Sequence, residues 1–183
     1  LLLARLQHDQ GLGGRIDLVL NGGPCPGGIE STVIDLTTAP PRVLRPGLIS
    51  PSELRAVIGD VSLPDVRLSE QQGPLPAPGT SIRHYAPRAR LECYSDPEQA
   101  MRRIAELSAS ARQARWLCRT ARPSAGFRHI QAVQLPQDSA GYAAQLYEAL
   151  HGADRSAAEF VVVELPPNNE EWLAVRDRLR RAA

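Results

Sequence analysis

The chain has 183 residues, with 21 basic and 20 acidic side chains and a net charge of +1. That balance excludes a strong field for nucleic acid or an anionic membrane. Aromatics at 4% are too few for base-stacking platforms, while 43% hydrophobic content suffices for a globular core.

All the Lys+Arg positions are arginine. A Walker-type lysine, a Schiff-base lysine and a lysine general base are therefore excluded from these residues. The chain has no run of 18 apolar residues and no signal-peptide pattern, so a soluble, cytoplasmic chain without membrane contact is expected. It starts Leu1-Leu2-Leu3, and its one methionine is Met101, so it reads as processed, trimmed or incomplete. Cys25, Cys93 and Cys118 lie far apart with no CxxC spacing and no histidine at ligand spacing. Reduced thiols are expected, with neither a zinc site nor a disulfide framework.

In chain order, residues 1–7 carry apolar positions at helical spacing, ended by Gly11 to Gly14. Residues 16–20 (IDLVL) read as a short strand, and residues 21–28 (NGGPCPGG) as a turn rich in glycine and proline. Residues 32–36 (TVIDL) and 42–45 (RVLR) are two further strands. Ser50-Pro51-Ser52-Glu53 is a capping box with proline at the first helical position, opening a helix through Leu54, Val57 and Ile58 to Gly59. Residues 61–90 hold five prolines and no long periodicity, the mark of a linker or a functional loop. Beyond them, strand and helix alternate. Strands are expected at 91–94, 116–118, 130–135 and 160–163. Helices are expected after the capping box Ser95-Asp96-Pro97-Glu98, after Ser139, and after Asn168 or Asn169. The all-apolar 160–163 run is of the kind buried on both faces, and the β-α-β-β-α-β-α order predicts a mostly parallel sheet.

Two groups of residues could carry chemistry. Gly22, Gly23, Gly27 and Gly28 let backbone N–H groups converge on an anion, although most such clusters are plain turns. Just after them comes Glu30-Ser31-Thr32. If residues 32–36 and 42–45 form a hairpin centred on Thr38 or Ala39, Ser31 and Arg45 share a sheet face, opposed or on a diagonal. A hairpin centred between those two residues puts them on opposite faces, leaving a surface arginine and a solvated serine. In the first case a hydroxyl and a guanidinium meet beside the glycine turn, fit for a ligand bearing a carboxylate or phosphate. The second group is the proline-framed segment at residues 78–87 (PGTSIRHYAP). Its Arg83, His84 and Tyr85 can all hydrogen bond a ligand, which favours a segment folding over a site against a decorated linker.

Residues 14–36 (GRIDLVLNGGPCPGGIESTVIDL), 42–47 (RVLRPG) and 78–87 (PGTSIRHYAP) resemble the threonylcarbamoyl-AMP synthase family, specifically the late part of its YrdC-like domain and its interdomain linker. The tail, from Phe160 through ELPP to DRLRRAA, resembles the end of the long two-domain form. The resemblance implies an α/β fold in three parts. Residues 1–60 would be the C-terminal remnant of the YrdC-like domain, 61–90 a linker, and 91–183 a small Rossmann-like parallel-sheet domain. It also implies a nucleotidyltransferase that condenses L-threonine, bicarbonate and ATP into L-threonylcarbamoyl-AMP and pyrophosphate. The product would serve N6-threonylcarbamoyladenosine modification of tRNA through downstream transfer proteins, without direct tRNA binding being required.

On this resemblance Ser31 contacts threonine, Arg45 contacts ATP, Tyr85 closes over the nucleotide, and His84 and Arg83 assist. ATP is a substrate and Mg²⁺ its companion. Gly27 stands where members often carry a bulkier residue, and Thr80-Ser81 replaces the commoner Met-Lys, shifting weight onto Arg83. The family's first hundred or so residues have no counterpart here. The full-length parent is therefore expected to be the catalyst, with this chain alone inactive and its first segment loosely packed. No general base is assigned; Glu30 is available, or it orients the turn. Ser31 lacks a G-x-S-x-G frame, so a hydrolase triad is rejected. Two other readings stand beside this one: residues 91–183 as a non-catalytic binding or gating module, and a small phosphate-binding α/β protein unrelated to tRNA.

Overall fold

The structure is a computed structural model that describes residues 27–64, 86–120 and 126–183. The helix expected at 1–7, the strand at 16–20, Cys25, Gly22, Gly23 and the 78–87 segment up to Tyr85 lie outside the described residues.

The first part is a two-stranded antiparallel sheet and one helix: β1 (Val33–Asp35), β2 (Arg42–Arg45) and α1 (Pro51–Ile58). The expected capping box forms in full. The Glu53 amide donates to the Ser50 hydroxyl, and the Glu53 carboxylate accepts from the Ser50 amide at 2.8 Å. Gly59 ends the helix at φ +79°, a conformation with little penalty for glycine. Ser62 then returns to the sheet edge, exchanging backbone hydrogen bonds with Val43 and Pro41. The apolar side chains of this part divide. Val43, Ile29 and Val61 are buried, whereas Leu36, Leu48, Ile49, Val57 and Ile58 are exposed.

The second part contains β3 (Arg90–Tyr94), α2 (Pro97–Ala109), β4 (Ala114–Cys118), β5 (Ile130–Gln134), α3 (Ser139–Arg155) and β6 (Phe160–Glu164). A 3-10 turn (Glu170–Trp172) then leads into α4 (Leu173–Ala182). The sheet is parallel throughout, in the order β3-β6-β4-β5. The β3-to-β4 and β5-to-β6 connections each skip one strand, in opposite directions. A right-handed crossover then demands helices on opposite faces. Accordingly, α2 packs Ala100, Ile104 and Leu107 against Trp116, Cys118 and Val162, while α3 and α4 cover Leu117, Val161 and Val163 from the other side. Val161, Val162 and Val163 are all 0% exposed, so β6 is buried on both faces, as its apolar run requires. Each fully buried Leu or Ile in these two layers contributes roughly 1.5–3 kcal/mol.

Two capping expectations are corrected. The cap of α2 is Asp96, not Ser95: its carboxylate accepts from the Glu98 amide at 2.9 Å, and Pro97 occupies the first helical position. A cap must immediately precede the first helical residue, which rules Ser95 out. Asn169, expected at the start of the last helix, instead caps the preceding 3-10 turn, where its side chain accepts from the Trp172 amide; α4 follows Trp172 with no side-chain cap of its own.

Candidate functional site

Ser31 and Arg45 meet. Near the turn the pairs are Ile34↔Val43 and Asp35↔Arg42, the register centred between Thr38 and Ala39 that would have parted them. A bulge then leaves Leu44 without an opposite, and the next pair is Val33↔Arg45. From the bulge onward the hairpin is centred on Ala39, and Arg45 comes onto the side of Ser31. Its Nε donates to the Ser31 carbonyl at 3.1 Å and its Nη2 to the Ser31 hydroxyl at 3.3 Å. Bonds to a charged donor are each worth about 1.5–3 kcal/mol. Arg45 is 9% exposed, whereas Ser31 is exposed.

Gly47 makes this approach possible. A Cβ there would lie 2.2 Å from the Thr32 nitrogen and 2.4 Å from the Ser31 carbonyl carbon. The Thr32 hydroxyl secures the crossing strand, donating to the Ile49 carbonyl at 2.9 Å and accepting from its amide at 3.2 Å.

Glu30 faces away from this pair and into the second part. Its Oε2 accepts from Arg178 Nε at 2.7 Å and from the Tyr147 hydroxyl at 3.0 Å. Arg178 also donates through Nη2 to the Pro46 carbonyl at 2.9 Å and through Nη1 to Asp177 at 2.7 Å. Arg181 clamps the same Asp177 with two nitrogens, at 2.9 and 3.1 Å. Burial disfavours the charge on Glu30, but Arg178, a backbone N–H and Tyr147 outweigh it and hold the carboxyl below its ordinary value of 4.5. A carboxylate so engaged orients the turn and is poorly suited to accept a substrate proton.

The depressed pKa gives a signed expectation. The stabilisation from Glu30 is present above pH 4.5 and is lost as pH falls through the lower folded value. Glu30→Gln should therefore melt below wild type at neutral pH, with the gap closing in acid. Parallel melting curves from pH 3 to 7 would contradict this.

Of the turn's glycines, Gly28 has packing work. Gly28 sits at φ +62°, and a Cβ there would lie 2.3 Å from the Ala144 Cα on α3. Next to it, Ile29 joins the core shared with α3 and α4. On α1, Arg55 forms a two-pronged pair with Glu170 at 2.8 and 2.9 Å. The crevice between residues 46–54 and 170–174 holds only about 30 Å³, so the two parts are closely joined there.

Of the predicted site residues, Ser31 and Arg45 are brought together, and Gly27 and Gly28 lie beside them in the chain. Arg83, His84 and Tyr85 lie outside the described residues. Sequence reasoning missed Arg178 and Tyr147. The DRLRR run near the end of the chain was the available signal, because an apolar-faced helix has little use for Asp-Arg at buried positions. Among the described residues no three His, Cys, Asp or Glu side chains gather to hold a metal ion. Cys93 and Cys118 are free thiols, and burial pushes Cys93 up to about 11. No helix among the described residues is long and apolar enough to cross a membrane.

Comparison with known proteins adds the following. Residues 49–183 match the family described as "Threonylcarbamoyl-AMP synthase, C-terminal domain", and residues 3–47 match one described as "Telomere recombination". The threonylcarbamoyl-AMP synthase of Bacillus subtilis is 34% identical over 96% of this chain and 51% of its own length. That of Pyrococcus abyssi is 32% identical over 93% and 50%, respectively. The crystal structure of P. abyssi Sua5 complexed with L-threonine superposes with a TM-score of 0.79 at 29% identity, over 92% of this chain and 50% of that one. A P. abyssi Sua5 variant in which an adjacent histidine and tyrosine are replaced by alanine gives a TM-score of 0.74 at 29% identity, over 88% and 46%. The chain thus spans about half the length of the curated relatives it matches.

Proposed function

Since this chain belongs to the threonylcarbamoyl-AMP synthase family, we propose that it supplies one wall of a site that makes L-threonylcarbamoyl-AMP from L-threonine, bicarbonate and ATP. The observation that carries the reading is the buried Arg45 guanidinium held against the carbonyl and hydroxyl of an exposed Ser31. Two chemistries adjoin there: a fixed positive charge for a phosphate, and a hydroxyl whose own proton can be donated to an amino acid.

The threonine amine adds to the carbon supplied by bicarbonate, with loss of water, giving a carbamate. A carbamate oxygen then attacks the α-phosphorus of ATP, a P–O bond forms, and the bond to pyrophosphate breaks. No covalent nucleophile on the protein is needed. The work of these residues is to hold the two reactants side by side and neutralise phosphate charge. Ser31 orients threonine and Arg45 binds ATP. Tyr85 closes over the nucleotide, assisted by His84 and Arg83. The one adjacent His-Tyr in this sequence matches, in residue type and order, the pair altered in the Pyrococcus variant. Mg²⁺ enters with ATP, as the companion of its phosphates. The product feeds N6-threonylcarbamoyladenosine formation on tRNA in the cytoplasm.

Calorimetric titration of the longest form its gene encodes is the test. ATP should bind more tightly when L-threonine is present. Arg45→Ala should weaken ATP about tenfold and threonine less, and Ser31→Ala the reverse, each losing about one charge-assisted or neutral hydrogen bond. Absence of any threonine effect on ATP would overturn the reading, and equal losses in both variants would overturn the assigned roles.

A further inference from the structure

We propose that Arg178 is a positioning residue for the Ser31–Arg45 pair, so that the last helix of the second part sets the geometry of both substrate subsites. The inference rests on the reading just given and deepens it.

The three donor groups of Arg178 reach three different partners. Nε reaches the side chain of Glu30, the residue bonded to Ser31. Nη2 reaches the carbonyl of Pro46, the residue bonded to Arg45. Nη1 is anchored at home, on the neighbouring Asp177. One rigid, planar guanidinium therefore spans the two chain segments of the site, at the residue adjoining each functional side chain. It runs alongside the direct bond between Arg45 and Ser31. Its planarity matters: the fork fixes the angle between the two segments as well as their distance.

Burial gives the contact its strength. Arg178 is 4% exposed, Asp177 6% and Arg181 9%. Glu30 and Asp177 balance Arg178 and Arg181, so the four-charge group is neutral; Asp177 and the two arginines are little screened by water, while the Glu30 side chain is 24% exposed. The anchor is also stiff, since Arg181 holds Asp177 by both carboxylate oxygens. On the other side Tyr147, from α3, fixes the same Glu30 oxygen from a second direction. A displacement of α4 relative to the first sheet would move Glu30 and Pro46 together, and with them the hydroxyl and the guanidinium that face the substrates.

A positioning role differs from mere support in what it does to kinetics. A support residue, once removed, lowers the fraction of folded molecules: kcat falls and KM stays. A residue that sets the spacing of two subsites changes the affinity of the molecules that remain folded.

The experiment is threonine- and bicarbonate-dependent pyrophosphate release from ATP, measured on the longest form its gene encodes, with Arg178→Lys and, as a milder second variant, Glu30→Gln. Lysine keeps the charge but cannot reach Glu30, Asp177 and Pro46 at once. The expected result is a rise in KM for both L-threonine and ATP, by about tenfold for Arg178→Lys, with kcat changing much less. Glu30→Gln should shift both constants in the same direction by a smaller factor. A fall in kcat with both KM values unchanged would overturn the inference and leave Arg178 as support only. So would a KM change confined to one substrate. Wild-type protein without threonine-dependent pyrophosphate release would overturn the functional reading itself and this inference with it. An active wild type with indifferent variants would sink the inference alone.

Discussion

Gly47→Ala is expected to damage the site more than any other single-methyl change. The added carbon would fall 2.2 Å from the Thr32 nitrogen, 2.4 Å from the Ser31 carbonyl carbon and 2.7 Å from the Glu30 carbonyl oxygen. All three neighbours are backbone, so no flexible side chain can swing aside. The segment at 46–49 must lift from the one at 30–32, costing about 1–3 kcal/mol as overpacking does elsewhere. The lift acts on three contacts at once: Arg45 to Ser31, Thr32 to Ile49, and Arg178 to the Pro46 carbonyl. The variant should therefore lose affinity for threonine and ATP together, while the second sheet keeps its amide protection. Hydrogen exchange resolved by residue, combined with substrate titration, checks both halves. Unchanged affinity for the two substrates would show that Ser31 and Arg45 act without this close crossing.

Asp177→Ala carries the largest stability effect expected among the charged residues. This carboxylate lies between two guanidinium groups, all three buried, and accepts from Arg178 at 2.7 Å and from Arg181 at 2.9 and 3.1 Å. Removing it leaves two like charges facing each other in a poorly solvated place. Breaking a buried pair in this way costs about 3–5 kcal/mol. Asp177→Asn should recover part of the loss, because the amide oxygen still accepts while the charge does not return. Urea unfolding of the two variants against wild type gives the comparison. A loss below about 1 kcal/mol for the alanine variant, the range of exposed pairs, would mean that the group is better hydrated than its burial indicates.

Much of the second part was readable locally. The run at 160–163 is apolar at every position, and only a strand covered on both faces tolerates that. The helix after Pro97 follows from the spacing of Ala100, Ile104 and Leu107, all of which are buried. The capping box at 50–53 is likewise a contact between residues three apart and needs no tertiary information. Pairing order was not readable, because strand neighbours are chosen by helices crossing on two faces and no local pattern records the choice. The bulge at Leu44 escaped for a related reason. Glycine flags only one type of bulge, and none stands at this one, yet it decides whether Ser31 and Arg45 share a side. The contacts between the two parts were the least visible. Glu30 finds Arg178 across 148 positions and Tyr147 across 117, distances at which residue spacing holds no information.

The insertion of β6 between β3 and β4 has a consequence for how the chain comes off the ribosome. Arg90 pairs with Phe160, some seventy positions later, and the β4 strand waits for the same partner. Until that late strand is made, β3 with α2 and β4 with β5 are separate fragments, each offering a bare edge to chaperones or to other nascent chains. Translation alone therefore imposes a delay, and the vulnerable interval closes in one step when residues 160–164 slide into the gap. Stalling synthesis with residues 160–164 still held inside the ribosome and again once they have emerged, then probing with protease, should divide the nascent chains sharply into digested and resistant populations.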